Sequence, residues 1–241
     1  MWQRVIEPLS HHFHVIAIDL PGFGESDCPP RNFSTGDFSN FLVLVMNRLS
    51  IDNAILAGIS YGGQIAARVS YKHPERVRKL VLIASTGLVT HNFVKHTMFW
   101  TAFSFVAKYI VLPNRFLMRL SSNVSFYSTG SRPPDLLEKF HRQISADGKR
   151  NAWIDCLQNI YFPTDDFEKK LADLSIPTLI VWGERDKTVP VRYARRFHEL
   201  IPNSALMVFA ECAHSLPLEK PEELCAAIVE FVGPGRSIGS R

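Results

Sequence analysis

The feature that most narrows the possible folds is a repeating one. Short, nearly all-apolar runs rich in β-branched residues alternate with segments of helical spacing, and glycine or proline turns separate them. Five such runs stand out: His14-Val-Ile-Ala-Ile-Asp-Leu20, then residues 54–58, 77–84, 178–182 and 205–209. A strand that is apolar on both faces belongs in the middle of a three-layer sandwich, because neither face can be left to water. Between the runs, Phe38, Phe41, Leu42, Val45 and Leu49 recur at helical spacing behind the candidate caps Ser34 and Thr35. Residues 64–71 read as a helix that must end before Pro74, and residues 192–200 as another. Pro221 opens a closing helix that runs to Val232. The fold class is therefore α/β: a mostly parallel sheet with helices on both faces.

Residues 87–172 break this rhythm. They hold Phe93, Phe99, Trp100, Phe103, Phe105 and Tyr109 but no strand–turn–helix unit, and Ser128-Thr-Gly-Ser-Arg-Pro-Pro134 divides them. We read them as a helical cap inserted into the core. Residues 1–86 and 173–235 are then the two parts of that core, and residues 236–241 form a flexible tail.

Composition removes several function classes. At 241 residues, 46% hydrophobic and 21% charged, the chain can bury a full core. Its net charge of +4 comes from scattered residues and short clusters such as Arg192, Arg195 and Arg196, with no basic stripe for nucleic acid. Cys28, Cys156, Cys212 and Cys225 lie far apart and match neither a disulfide framework nor a zinc site. Free thiols fit a reducing, cytoplasmic setting. No metal or cofactor is called for. The uncharged aromatic stretch 97–107 is about half of a membrane span, so no transmembrane segment is expected.

The chemistry is carried at residue 60. Gly58-Ile-Ser60-Tyr61-Gly62 lies where an apolar run ends and a helix begins, the setting of a nucleophile elbow. So tight a turn asks for small residues two before and two after the serine, Gly58 and Gly62, and it lifts Ser60 Oγ clear of the backbone. The helix N-terminus behind it offers oriented N–H groups to a developing oxyanion. A serine needs a base at neutral pH, and that base needs an orienting acid. His214 follows the run 205–209 and Asp186 follows the run 178–182, so both fall on the edge that presents Ser60. Asp19 and Glu184 are rival acids, Asp19 because it shares that edge and Glu184 because it lies two residues from Asp186. The cluster His11, His12 and His14 lacks accompanying carboxylates, and reads as a solvated helix end and one strand residue rather than a metal site.

On Asp19-Leu-Pro-Gly-Phe-Gly-Glu-Ser26, Gly58-Ile-Ser-Tyr-Gly-Gly63, Pro74-Glu-Arg-Val-Arg-Lys-Leu-Val-Leu82, Pro177-Thr-Leu-Ile-Val-Trp-Gly-Glu-Arg-Asp186 and Cys212-Ala-His214, the chain resembles the α/β-hydrolase superfamily, in its lipase/esterase-like branch with a helical cap. The resemblance implies a Ser60–His214–Asp186 triad, an oxyanion donor at the Tyr61 N–H, and an acyl-enzyme route. It implies a small-molecule ester or related acyl substrate of apolar character, leaving the oligomeric state open. Carbon–carbon bond hydrolysis and perhydrolysis use the same triad in related enzymes. A non-catalytic binding protein or an inactive truncated product is the remaining alternative. It also implies that Asp19 shapes a turn.

The chain departs from the family at Met1-Trp-Gln-Arg-Val-Ile-Glu-Pro-Leu9, which is similar to the helix following the family's oxyanion loop. The strand that lies in relatives between those matching residues 14–20 and 54–58 is then missing. Three arrangements are expected: a fragment, direct pairing of the two flanking runs, or completion by another chain.

Overall fold

The computed structural model describes residues 1–29, 33–88, 97–145, 148–161 and 166–233. In chain order it begins with α1 (Ile6–Ser10), α2 (Thr35–Arg48), β1 (Ala54–Ile59), α3 (Tyr61–Lys72) and β2 (Val77–Ile83). There follow α4 (Thr97–Val106), α5 (Arg115–Ser122), α6 (Leu136–Ser145), α7 (Lys149–Tyr161) and α8 (Phe167–Ala172). The chain returns to the sheet with β3 (Thr178–Gly183), α9 (Arg192–Leu200), β4 (Ser204–Phe209), α10 (Leu216–Glu219) and α11 (Pro221–Val232). The four strands pair in the order β1-β2-β3-β4, all parallel.

Parallel strands need helical crossovers, and the crossovers cover the faces. Helices α3 and α9 pack on the strands and α8 bridges the two; α11 meets β3 and α1. The inner strands are buried accordingly: Leu80, Val81, Leu82 and Ile83 of β2 and Ile180, Val181 and Trp182 of β3 are wholly inaccessible. Each such side chain contributes about 1.5–3 kcal/mol relative to an exposed one. The outer strands are looser, with Ala57 of β1 and Val208 of β4 exposed.

The helix entry at α2 follows its local code. Ser34 Oγ accepts from the Asp37 N–H while Asp37 accepts from the Ser34 N–H, a reciprocal capping box.

Residues 14–20 require a correction, because they form no strand and pair with neither β1 nor any other described strand. Val15 packs partly against the core, while Ile16 and His14 are exposed. An apolar run can supply the surface of a strand but not the neighbouring N–H and C=O groups that make it one. Direct pairing of the two flanking runs is therefore not what the chain adopts. His14 is not a strand residue. Residues 236–241 and Phe93 lie outside the described residues, and nothing is described of the side chains of Phe99 and Trp100.

Candidate active site

Ser60 is the single residue between β1 and α3, at φ 53 and ψ −121. A non-glycine residue there costs on the order of 1–3 kcal/mol, and it persists only where its surroundings over-determine it. They do so here. The Ser60 N–H donates to Ile83 O at 2.9 Å, and its carbonyl accepts from Gly63 N at 3.0 Å and Thr86 N at 3.1 Å. The end of β2 therefore holds the turn on both sides.

The glycines around it divide differently from the sequence expectation. A Cβ on Gly58 would come within 2.3 Å of Gly62 O, so that glycine is required. A Cβ on Gly62 would meet nothing within 4 Å, whereas one on Gly63 would reach Ser85 Oγ at 2.6 Å. The tight approach is made by residue 63, because the first turn of α3 turns that position, and not position 62, toward the end of β2.

Tyr61 opens α3, and the N–H groups of a first helical turn lack intrahelical acceptors. Its side chain is an anchor rather than a reacting group. The ring stands edge-on to Phe38 at 5.8 Å, and its hydroxyl lies 3.2 Å from Thr35 Oγ1. Burial pushes the phenol well above its ordinary pKa.

Asp186 and His214 occupy the loops after β3 and β4, at the carboxyl edge that also carries Ser60. His214 Nδ1 lies 2.7 Å from Asp186 Oδ2, with the two side chains 7% and 0% exposed. A carboxylate only accepts, so Nδ1 donates across this contact, and in the neutral imidazole that leaves Nε2 as the acceptor nitrogen. The other oxygen, Oδ1, accepts from Thr188 N and Val189 N, both at 2.8 Å. This buried carboxylate is thus held from three directions.

The rival acids are occupied elsewhere. Glu184 is half-exposed and pairs with Arg185 at 3.4 Å. Asp19 shapes a turn, accepting from Glu25 N at 3.0 Å through its side chain and from Ser26 Oγ at 2.6 Å through its carbonyl. His11, His12 and His14 are exposed, and among the described residues no group of three or more His, Cys, Asp or Glu could hold a metal. Cys212, two residues from His214, has its thiol pushed up to about 12, chiefly by burial, so it is no thiolate.

Two supports of the His214 loop were not anticipated from sequence. Gly183 lets the loops after β3 and β4 close together, since a Cβ there would lie 2.1 Å from Ala213 O. Glu219 braces the loop from below. Its Oε1 accepts from Ala213 N at 3.2 Å and Ser215 N at 3.1 Å, while Oε2 accepts from Tyr127 N at 2.7 Å. The Ser215 N–H also reaches Ser125 O at 3.1 Å, so the segment 125–127 is tied to the histidine loop. Burial raises the Glu219 carboxyl pKa in spite of those three N–H donors. A carboxylate four residues past Ser215, across Leu216-Pro-Leu, was the available signal: a short helix turning its own acid back onto its first N–H groups.

Comparison with known proteins agrees with this architecture. The model of the alpha/beta hydrolase fold family matches residues 1–221. An uncharacterised hydrolase of Bacillus subtilis (strain 168), YugF, is 27% identical over 236 residues, covering 96% of this chain and 84% of the relative. The 2-hydroxy-6-oxo-6-(2'-aminophenyl)hexa-2,4-dienoic acid hydrolase of Metapseudomonas resinovorans is 28% identical over 239 residues, covering 96% and 78%. Among solved structures, the serine hydrolase CarC, involved in carbazole degradation, superposes with a TM-score of 0.79 at 26% identity, covering 96% and 83%. A family match over so much of the length, on a parallel sheet of this order, identifies an enzyme fold: the chain belongs to the alpha/beta hydrolase family.

Proposed function

We propose that this hydrolase works through Ser60, His214 and Asp186 on small carboxylic esters of apolar character. The observation that carries the reading is the buried Asp186–His214 hydrogen bond, on the same sheet edge as the strained Ser60. His214 Nε2 takes the Ser60 proton as Oγ bonds to the acyl carbon, and the oxyanion turns toward the Tyr61 N–H. Collapse breaks the ester C–O bond, and the imidazolium returns the proton to the departing alkoxide. Water then repeats the sequence on the acyl-enzyme and releases the acid. Asp186 fixes the imidazole tautomer and stabilises the imidazolium. An oxyanion donor of this kind is worth about 10²–10³ in turnover.

One specific observation favours a second reading of the same machinery. The Metapseudomonas resinovorans relative is named for a 6-oxo-dienoic acid, which has no ester to cleave, so its hydrolysis must break a carbon–carbon bond beside the ketone. In that case His214 would return its proton to a carbanionic leaving group stabilised by the dienoate.

The decisive experiment is labelling by a fluorophosphonate probe, followed by turnover of p-nitrophenyl esters against a 2-hydroxy-6-oxo-dienoate. Labelling of wild type and none of Ser60→Ala is the expected result. Labelling that persists in the alanine variant would move the nucleophile elsewhere. A folded wild type that never labels would favour a binding protein on this fold.

A further inference from the structure

The helices that follow β2 expose apolar side chains of a size that a soluble surface rarely displays together. Phe116 is 73% exposed, Leu120 59% and Val124 45%. They lie at successive four-residue steps, which places Phe116 and Leu120 on one face of α5. That face is not a core face turned out by error, because α5 buries Met118 on its other side. Just upstream, Phe105 at 59%, Tyr109 at 54% and Ile110 at 48% are also exposed, with the first two rings 4.9 Å apart.

The charges on α5 itself are both basic, while Asp155 of α7 lies near Lys108 on the turn before it. Arg115 and Arg119 are exposed, each next in sequence to one of the α5 apolar residues, and Lys108 Nζ lies over the Tyr109 ring at 5.0 Å. No Asp or Glu occurs anywhere between Glu75 and Asp135. Aromatic and aliphatic anchors flanked on their own helix by arginines complement a surface that is apolar inside and anionic outside. That is the headgroup boundary of an anionic bilayer. Among the described residues no helix is long and apolar enough to cross a membrane, and eight-residue α5 would lie on a bilayer surface. A second copy of the chain fits less well, since a two-fold contact would set Arg115 and Arg119 against themselves.

We infer that the exposed face of α5 and the helical turn before it docks on anionic lipid bilayers, with Phe116 and Leu120 inserted at the headgroup level and Arg115 and Arg119 on the lipid phosphates.

The test is sedimentation of the full chain with phosphatidylcholine vesicles, with and without phosphatidylglycerol, at low and high salt. Wild type should pellet with the anionic vesicles and be released by salt. Phe116→Ser with Leu120→Ser should abolish pelleting. Arg115→Glu with Arg119→Glu should weaken it by at least about fivefold per arginine removed. Leu44→Ser, at an exposed apolar position on α2, should bind as wild type does. All five positions are exposed, so thermal midpoints should stay put; if the double serine variant unfolds, Phe116→Ser alone and the arginine pair carry the test. Binding is read without turnover, so it stands or falls apart from the assignment of Ser60. Absence of binding to every vesicle, or equal binding to uncharged ones, overturns the inference. So does a dimer in light scattering that the serine variant disperses, which would make this face a contact between copies.

Discussion

The carboxyl edge of the sheet and the helices around α5 treat their side chains in opposite ways. At the sheet edge, the Ser60 backbone, both Asp186 oxygens and both Glu219 oxygens have partners, and Gly58 and Gly183 are glycines because backbone passes within 2.3 Å of where a Cβ would stand. Around α5, large apolar groups stand in solvent and the hydrogen bonds are mostly local, such as the Asn114 cap on Phe116 N and Leu117 N. A scaffold that leaves no freedom suits bond-making chemistry, where small displacements are costly. A surface that leaves its apolar groups unburied suits recognition. The proposed chemistry therefore belongs to the sheet edge, and the proposed recognition to the helices that follow β2.

The hardest blow to the rigid side of this contrast should be Asp186→Asn. Turnover is expected to fall by roughly 10⁴ as the imidazole adopts the wrong tautomer, with Ser60 still reachable. Glu184→Gln should do little; if it proves the more damaging of the two in steady-state kinetics, the acid is misassigned.

Next in size are the glycines. Gly58→Ala should lower stability by about 1–3 kcal/mol in denaturant unfolding, because backbone rather than a mobile side chain blocks its Cβ. Gly62→Ala should stay within about 1 kcal/mol of wild type, since alanine suits a helix and meets open space. Equal losses at both positions would mean that the turn itself, not contact, requires small residues.

The permissive side is probed by acyl length. Wild type should prefer medium-length or aromatic p-nitrophenyl esters to the acetate, if Phe103 of α4 walls the substrate pocket. Phe103→Ala should then flatten the profile by up to about tenfold, the scale on which an apolar pocket discriminates. A wild-type profile that is already flat would remove selectivity from this residue.

The smallest effect joins the two regions through Glu219. Its carboxyl should titrate above the ordinary 4.5 in a carboxyl NMR titration. The folded state holds this proton more tightly than the unfolded one, so the group's stabilising contribution is complete below about pH 4.5 and is lost as pH rises through the folded value. The wild-type advantage over Glu219→Gln, about 1 kcal/mol where the tie to Tyr127 N is intact, should accordingly shrink with rising pH. A midpoint at or below 4.5 would count against burial as the dominant influence.

Much of this was legible in the chain because the signals are local. The apolar runs 77–84 and 178–182, the Ser34 cap and the proline that opens α11 each depend on a few neighbouring residues, and each element forms within a residue of where its pattern lies. Ser60 could be picked out because a tight strand-to-helix turn leaves a glycine signature. Asp186 and His214 followed from strand ends that share an edge. Glu219 and Gly183 were missed because neither acts on its own segment: each matters through a loop brought beside it by the pairing of β3 and β4.

By itself, then, the sequence determined a parallel α/β core, the elements that build it and the residue types brought to its carboxyl edge. All of these follow from side-chain period and turn chemistry over short stretches. The tertiary structure alone decided that residues 14–20 stay unpaired, that Gly63 rather than Gly62 takes the close contact, that Glu219 braces the His214 loop, and that α5 turns Phe116 and Leu120 to solvent. Pairing, collision and burial are relations between distant segments, and no period within one segment specifies the distance to another.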